Sequence, residues 1–180
     1  MASQIKVNEI IKQSGSSISI GESGDTITLP STATLTNFPA NTPSFRAYAS
    51  SNFTTANSTR TIVPFGNVTF DTGNYFNTST YRYTPLVAGY YNFFATVKSN
   101  ESQDVENFVI YIRKNETEIM EVNNGQVYYT SVNGSVLTYL DGIDDFVDVY
   151  VRQDSGGNFE YNGLDKKVYF QGYRLTWAVK

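Results

Sequence analysis

The sequence predicts an all-β protein built as a two-sheet sandwich, and three observations carry that prediction. Fourteen Tyr and twelve Phe stand among abundant Thr, Val and Ile in a 180-residue chain, and branched and aromatic side chains fit a pleated, half-buried surface. Apolar residues recur with a period of two in short runs separated by turn-forming residues, and no helical period competes with them. The chain has room for one ordinary domain and some excess, and it lacks cysteine, so a single hydrophobic core without covalent staples must hold it.

Taken in order, residues 1 to 42 stand apart, with one aromatic residue, Phe38, against a background of Ser, Thr, Gly and isolated aliphatics. Ile18 and Ile20 alternate in Ser-Ile-Ser-Ile-Gly. Ile27 and Leu29 repeat the pattern nine positions later, and Ala33 and Leu35 follow in Thr-Ala-Thr-Leu-Thr. Each such strand offers only two apolar side chains, too few for a self-supporting sheet. The segment therefore either stays disordered or shares its core with copies of itself, as three chains wound about an axis would. Ile5, Val7, Ile10 and Ile11 form a separate apolar patch before Gly15, suited to a docking peptide.

Pro39 and Pro43 bracket the boundary with a head of residues 43 to 180, where strand signals follow one another with turn residues between. Strands are expected at 45 to 50, 61 to 65, 67 to 71, 74 to 78, 81 to 84, 89 to 98 and 106 to 114. Further strands are expected at 117 to 122, 126 to 132, 135 to 140, 145 to 152 and 167 to 178. This number and spacing points to a jelly roll or an immunoglobulin-like arrangement, and the missing Cys and Trp pattern weighs against the second.

Two of these strands carry aromatics on both faces. From Gly89 to Lys98, Tyr91, Phe93, Ala95 and Val97 share one face while Tyr90 and Phe94 lie on the other; in the last strand Val168, Phe170 and Gly172 alternate with Tyr169, Tyr173, Leu175 and Trp177. A solvated sheet face does not look like this. One face fills the sandwich, and the other needs a cover, either loops or an identical subunit.

Composition removes several classes of chemistry. With neither Cys nor His, thiolate and imidazole metal sites and the nucleophile systems that rest on them are excluded, leaving carboxylate pairs, lysine and oxygen-bound cations such as calcium. Thirteen basic against seventeen acidic residues give a net charge of −4, which provides no counterion-release drive for nucleic acid. The opening Met-Ala-Ser-Gln-Ile-Lys-Val lacks an apolar signal-peptide core and no apolar run approaches the roughly 20 residues of a membrane helix. The expectation is synthesis in a host cytoplasm, with neither export nor a membrane partner. The seven Asn-x-Ser/Thr triplets, the first at Asn52, are then a consequence of abundant Asn, Ser and Thr.

In residues 44 to 178 the chain resembles the globular head domain of complement C1q, within the tumour necrosis factor-like superfamily. Phe45-Arg-Ala-Tyr-Ala is similar to its opening strand, and Val68-Thr-Phe-Asp71 with Asn74-Tyr75 to the region that follows. Pro85-Leu-Val-Ala-Gly89-Tyr-Tyr91-Asn-Phe93 resembles the family's most specific signature, a Pro followed by Gly-x-Tyr-x-Phe. Val109 to Asn115, Gly134 to Leu140, Phe146 to Val151 and Val168 to Tyr173 follow in the family's order. The departures are Leu140-Asp-Gly-Ile-Asp144-Asp145 where the family has a shorter Leu-x-x-Gly-Asp turn, and an N-terminal segment without a collagen repeat. That segment resembles the short alternating stretches of bacteriophage fibre and virion proteins. The resemblance implies a ten-stranded jelly roll, homotrimers formed through aromatic-rich faces, and recognition or packing rather than catalysis.

The site expectations follow. Tyr90, Phe94, Tyr169, Tyr173 and Trp177 are expected at a trimer interface; Ile5, Val7, Ile10 and Ile11 in virion docking. Asp141, Asp144 and Asp145 are a weak calcium candidate, because hard cations take several oxygens from a loop, although the spacing lacks the twelve-residue calcium pattern. Phe159, Tyr161 and Asn162, in a Gly-rich aromatic loop, are candidates for stacking a sugar or gripping a protein ligand. No catalytic residue and no cofactor are expected. The functional expectation is a phage virion protein, a homotrimeric fibre, spike or decoration protein. Its residues 1–42 would meet other virion proteins, and its head would contact a host-surface glycan or protein. The alternatives are a bacterial surface or spore-coat adhesion module and, behind it, a glycan-degrading tail spike.

Overall fold

Alternation of buried and exposed side chains along the strands builds two sheets with one core between them. The structure is a computed structural model that describes residues 43–100, 107–125 and 131–175. Residues 1–42, with Ile5, Val7, Ile10 and Ile11, and also Trp177, lie outside the described residues.

The first sheet contains β1 (Ser44–Tyr48), β4 (Asn67–Asp71), β7 (Gly89–Lys98), β10 (Ser131–Leu140) and β13 (Tyr169–Arg174), in the spatial order β10-β7-β13-β1-β4. The second has the order β5-β6-β11-β8-β9, from β5 (Phe76–Asn77), β6 (Arg82–Tyr83), β8 (Phe108–Lys114), β9 (Thr117–Asn124) and β11 (Val147–Gln153), with β3 (Thr61–Ile62) also pairing β11. A small third pairing joins β2 (Phe53–Thr55) to β12 (Phe159–Tyr161). All pairings are antiparallel. This is the two-sheet jelly-roll sandwich that the sequence predicts.

The core is aromatic at one end. Phe45 of β1 lies 4.0 Å from the Tyr83 ring and 5.4 Å from Phe76, both of the second sheet, and meets Phe170 of its own sheet edge-on at 5.0 Å. Ile110, Ile112, Val147, Val149 and Val151 fill the middle from the other sheet. The β8–β9 hairpin turns on Asn115 and Glu116, both with positive φ (49° and 68°), as a two-residue type I′ turn requires. Asn115 then ties this turn to the loop after β10: its Nδ2 donates to Asp145 Oδ1 at 2.6 Å and its Oδ1 accepts the Phe146 N–H at 3.0 Å.

Two differences from the expected strands have local causes. β10 runs unbroken through Asn133-Gly134, where turn-forming residues predicted a break. Gly134 is there for closeness, since a Cβ would sit 2.6 Å from Met120 Sδ and 2.7 Å from Val122 on β9. Residues 159 to 161, expected as loop, form β12 instead, with Phe159 and Tyr161 paired to Thr55 and Phe53.

The described head begins and ends at the same end of the first sheet's strands. The Arg174 N–H bonds to Pro43 O at 2.9 Å and the Leu175 N–H to Tyr90 O at 2.8 Å.

Candidate functional site

The outward face of the first sheet is the distinctive surface of the described residues. Register sets its layout: Tyr139 lies opposite Tyr90, Leu137 opposite Asn92, and Ser135 opposite Phe94. On the other side of β7, Tyr173, Gln171 and Tyr169 stand opposite Asn92, Phe94 and Thr96. The face then continues through Arg46 and Tyr48 of β1, opposite Gln171 and Tyr169, to Phe70 of β4, opposite Arg46.

Tyr90, Tyr139, Tyr173, Phe70 and Leu137 are each about half exposed, from 45% for Tyr90 to 52% for Leu137. So many large apolar side chains on one face form a contiguous patch of the kind that marks an interaction surface. The rings are also held in place. Tyr90 meets Tyr139 edge-on at 5.4 Å, Phe94 stacks on Tyr169 at 5.8 Å, and the Arg46 guanidinium lies 4.1 Å above the Tyr169 ring. Asn92 Nδ2 donates to the Tyr173 hydroxyl at 3.4 Å. Preordered rings lose little entropy on binding.

No outward position of these five strands carries a carboxylate; the charges there are Arg46 and Lys98. Arg46 Nε is buried and has no hydrogen-bond acceptor among the described residues.

Of the residues expected at an interface, the structure brings Tyr90, Phe94, Tyr169 and Tyr173 together on this face. It adds Tyr139, Leu137 and Phe70, which the sequence reading missed. Tyr139 and Leu137 alternate within the strand expected at 135 to 140, and pairing with β7 puts them beside Tyr90 and Asn92. Phe70 does not follow from its own strand, because strict alternation in Asn67-Val-Thr-Phe puts Val68 and Phe70 on one side. A bulge opposite Arg46 and Ala47 leaves Val68 packed inward and Phe70 outward.

The ligand-loop expectation needs correcting. Phe159 and Tyr161 are buried in the core, packed on Phe108 at 6.1 and 5.5 Å, and Tyr161 also stacks on Phe53 at 4.8 Å. The Tyr161 hydroxyl shares a hydrogen bond with Thr55 Oγ1 at 3.1 Å, and burial pushes its pKa well above the usual phenol range. Asn162 is committed too, donating to Asn100 Oδ1 at 3.1 Å and accepting the Leu164 N–H at 3.1 Å. Phe159 and Tyr161 are therefore core residues and not ligand contacts.

Carboxylate oxygens of Asp141, Asp144 and Asp145 do lie within 4.8 Å of one another. The cluster is already in use. Asp141 Oδ1 accepts the backbone N–H groups of Ile143, Asp144 and Asp145, and Asp145 pairs with Lys114 Nζ at 2.8 Å as well as with Asn115. Burial would raise the Asp145 pKa, but the hydrogen bonds from Lys114, Asn115 and the Asp141 N–H outweigh it and hold the carboxyl below its usual range. These bonds build the longer turn in which the chain departs from the family pattern.

Comparison with known proteins agrees with this geometry. Residues 44–175 match the model of the C1q domain. No curated protein matches the sequence. Among solved structures, the globular domain of zebrafish complement 1qA is similar with a TM-score of 0.51 at 16% identity, over 76% of this chain and 99% of that one. Murine APRIL matches with a TM-score of 0.56 at 12% identity, over 74% and 99%. The PRD1 vertex protein P5 matches with a TM-score of 0.55 at 12% identity, over 75% and 96%. Likeness at such identities establishes the tumour necrosis factor and C1q type of fold. No helix among the described residues is long and apolar enough to cross a membrane.

Proposed function

The chain belongs to the C1q domain family, and on that premise we propose that it is a non-catalytic head module that assembles with two further copies of itself through the aromatic face of its first sheet. The observation that carries the reading is that face: half-exposed Tyr90, Tyr139, Tyr173, Phe70 and Leu137 with no carboxylate among them. Left in water it is a liability, whereas an identical subunit covers it without any other partner. Domains of this fold are generally binding modules, and binding rather than catalysis is the role assigned here.

The module serves a phage particle, as a fibre, spike or decoration protein whose residues 1–42 hold it to other virion proteins and whose head faces the host. Two things support this reading: the short alternating segments of residues 1–42 resemble those of phage fibres, and a virion vertex protein shares the fold. Light scattering on the full chain tests the assembly. A mass near three times 20.1 kDa, about 60 kDa, is expected, and a 20 kDa monomer would overturn it. Labelling of purified particles by antibodies to the head tests the virion role, and finding the protein on uninfected cells instead would favour the surface-adhesion alternative.

A further inference from the structure

A cleft of about 470 Å³ is lined by the turn between β4 and β5, by β5 itself and by the segment after β6. Its walls include Asn74, Tyr75, Asn77, Thr78, Thr84 and Leu86, and no lining residue is charged. A volume in this range suits a small ligand. We propose that this cleft binds a neutral saccharide, a site that is independent of whether the head forms trimers or belongs to a virion.

The walls match the two surfaces of a sugar, apolar C–H faces and a rim of hydroxyls. The apolar part is Tyr75 with exposed Leu86. Tyr75 is fixed from beneath by Gly73, where a Cβ would stand 2.1 Å from the ring, and edge-on by Tyr83 at 6.2 Å. A ring held this firmly loses little freedom when a ligand stacks on it.

The polar part is uncommitted. No hydrogen bond within the described residues engages the side chains of Asn74, Thr78 or Thr84. Asn77 spends its Oδ1 on the backbone N–H groups of Ser79 and Thr80, at 2.8 and 3.1 Å, which leaves its Nδ2 as a donor. The rim backbone is preset as well, since Asp71 accepts the N–H groups of Gly73 and Phe76 at 3.3 and 2.7 Å and Asn74 sits at φ 54°. Amides and hydroxyls both donate and accept, as sugar hydroxyls require. With no charge in the walls, an anionic or cationic ligand would be desolvated without a partner.

The test is titration calorimetry of the full chain against methyl glucoside, methyl galactoside, N-acetylglucosamine, a neutral trisaccharide and, as the charged comparison, sialyllactose. A ligand of about a dozen heavy atoms binds in the millimolar range, so concentrations up to about 50 mM are needed. Asn74→Gly keeps the left-handed backbone and removes the amide with its methylene, and Thr84→Val exchanges a hydroxyl for a methyl group. Each is expected to weaken binding of a neutral sugar about three- to tenfold, with the molar mass unchanged. Absence of binding by every neutral sugar, binding of sialyllactose alone, or affinity indifferent to both substitutions would overturn the proposal. The mass measured on the same samples reports separately on assembly.

Discussion

The two outward faces of one sandwich are built from the same strand alphabet to opposite ends. On the second sheet every arginine has a carboxylate, Arg152 through Asp154 at 2.9 Å, and the other three have a ring as well. Arg113 lies 3.6 Å above Tyr150 and bonds Asp148, Arg82 lies 4.0 Å above Phe146 and bonds Asp148 and Glu116, and Arg60 lies 4.3 Å above Tyr111 and pairs with Glu118. On the first sheet Arg46 has its ring, Tyr169, but no carboxylate. A face that satisfies its charges internally is finished in water, while one with half-exposed rings and a guanidinium without a carboxylate is completed by something else.

The largest effect should follow from giving the first sheet the charge it lacks. Phe94 points outward from β7 and stacks on Tyr169, so Phe94→Asp leaves the core untouched but places a carboxylate in every copy of the proposed interface, where its desolvation is unpaid. Light scattering should show a folded monomer of about 20 kDa in place of a trimer of about 60 kDa. Glu121→Ala on the second sheet should leave the trimer intact. If both substitutions left the mass alone, the aromatic face would not be the one that associates.

A smaller effect, on stability rather than assembly, is expected at Asp148. Its carboxylate is fully buried, receives Arg113 Nε and Nη2 at 2.9 and 3.0 Å, and meets Arg82 Nε at 3.3 Å. Burial would lower the Arg113 pKa, yet the bonds to Asp148 outweigh it and raise it. Asp148→Ala leaves Arg113 without a carboxylate and Arg82 with Glu116 alone, and breaking a buried pair costs about 3 to 5 kcal/mol. Because Arg82 and Arg113 keep some access to water, the low end is expected, read as a fall in the urea midpoint with the mass unchanged. Loss of the trimer in Asp148→Ala, in a sample still folded by circular dichroism, would erase the distinction between the faces.

Much of the first face was legible from sequence alone because β7 and β13 carry aromatics at both parities, and parity survives wherever a strand is regular. Tyr90, Phe94, Tyr169 and Tyr173 were readable for that reason. Phe70 was hidden by a bulge, a change of parity that no local pattern announces. Tyr139 lies inside the strand expected at 135 to 140, but the face it joins is set by the pairing of β10 with β7, which is tertiary. Phe159 and Tyr161 were misread because a three-residue strand beside Gly156 and Gly157 looks like a loop, and its partner Thr55 is 106 residues from Tyr161. The arginine pairings of the second sheet join β6, β8 and β11, and the cleft depends on where a turn places Tyr75 over Gly73. Both are facts of packing rather than of spacing.

The smallest expected effect sharpens the comparison most cheaply. Arg60 and Glu118 are ion-paired at the rim of the charged face, with side chains 51% and 31% exposed. Such a pair contributes about 0.2 to 1 kcal/mol and the ring beneath Arg60 about as much again, so Arg60→Met, which keeps the apolar stem, should cost no more than about 2 kcal/mol. Screening at about 1 M salt should shrink that cost, since charges then act over only about 3 Å. The trimer mass should hold at the same salt, because apolar burial is not screened. A trimer that fell apart in salt while Arg60→Met stayed costly would mean that charge holds the subunits together and that the aromatic face is covered by something other than a second copy.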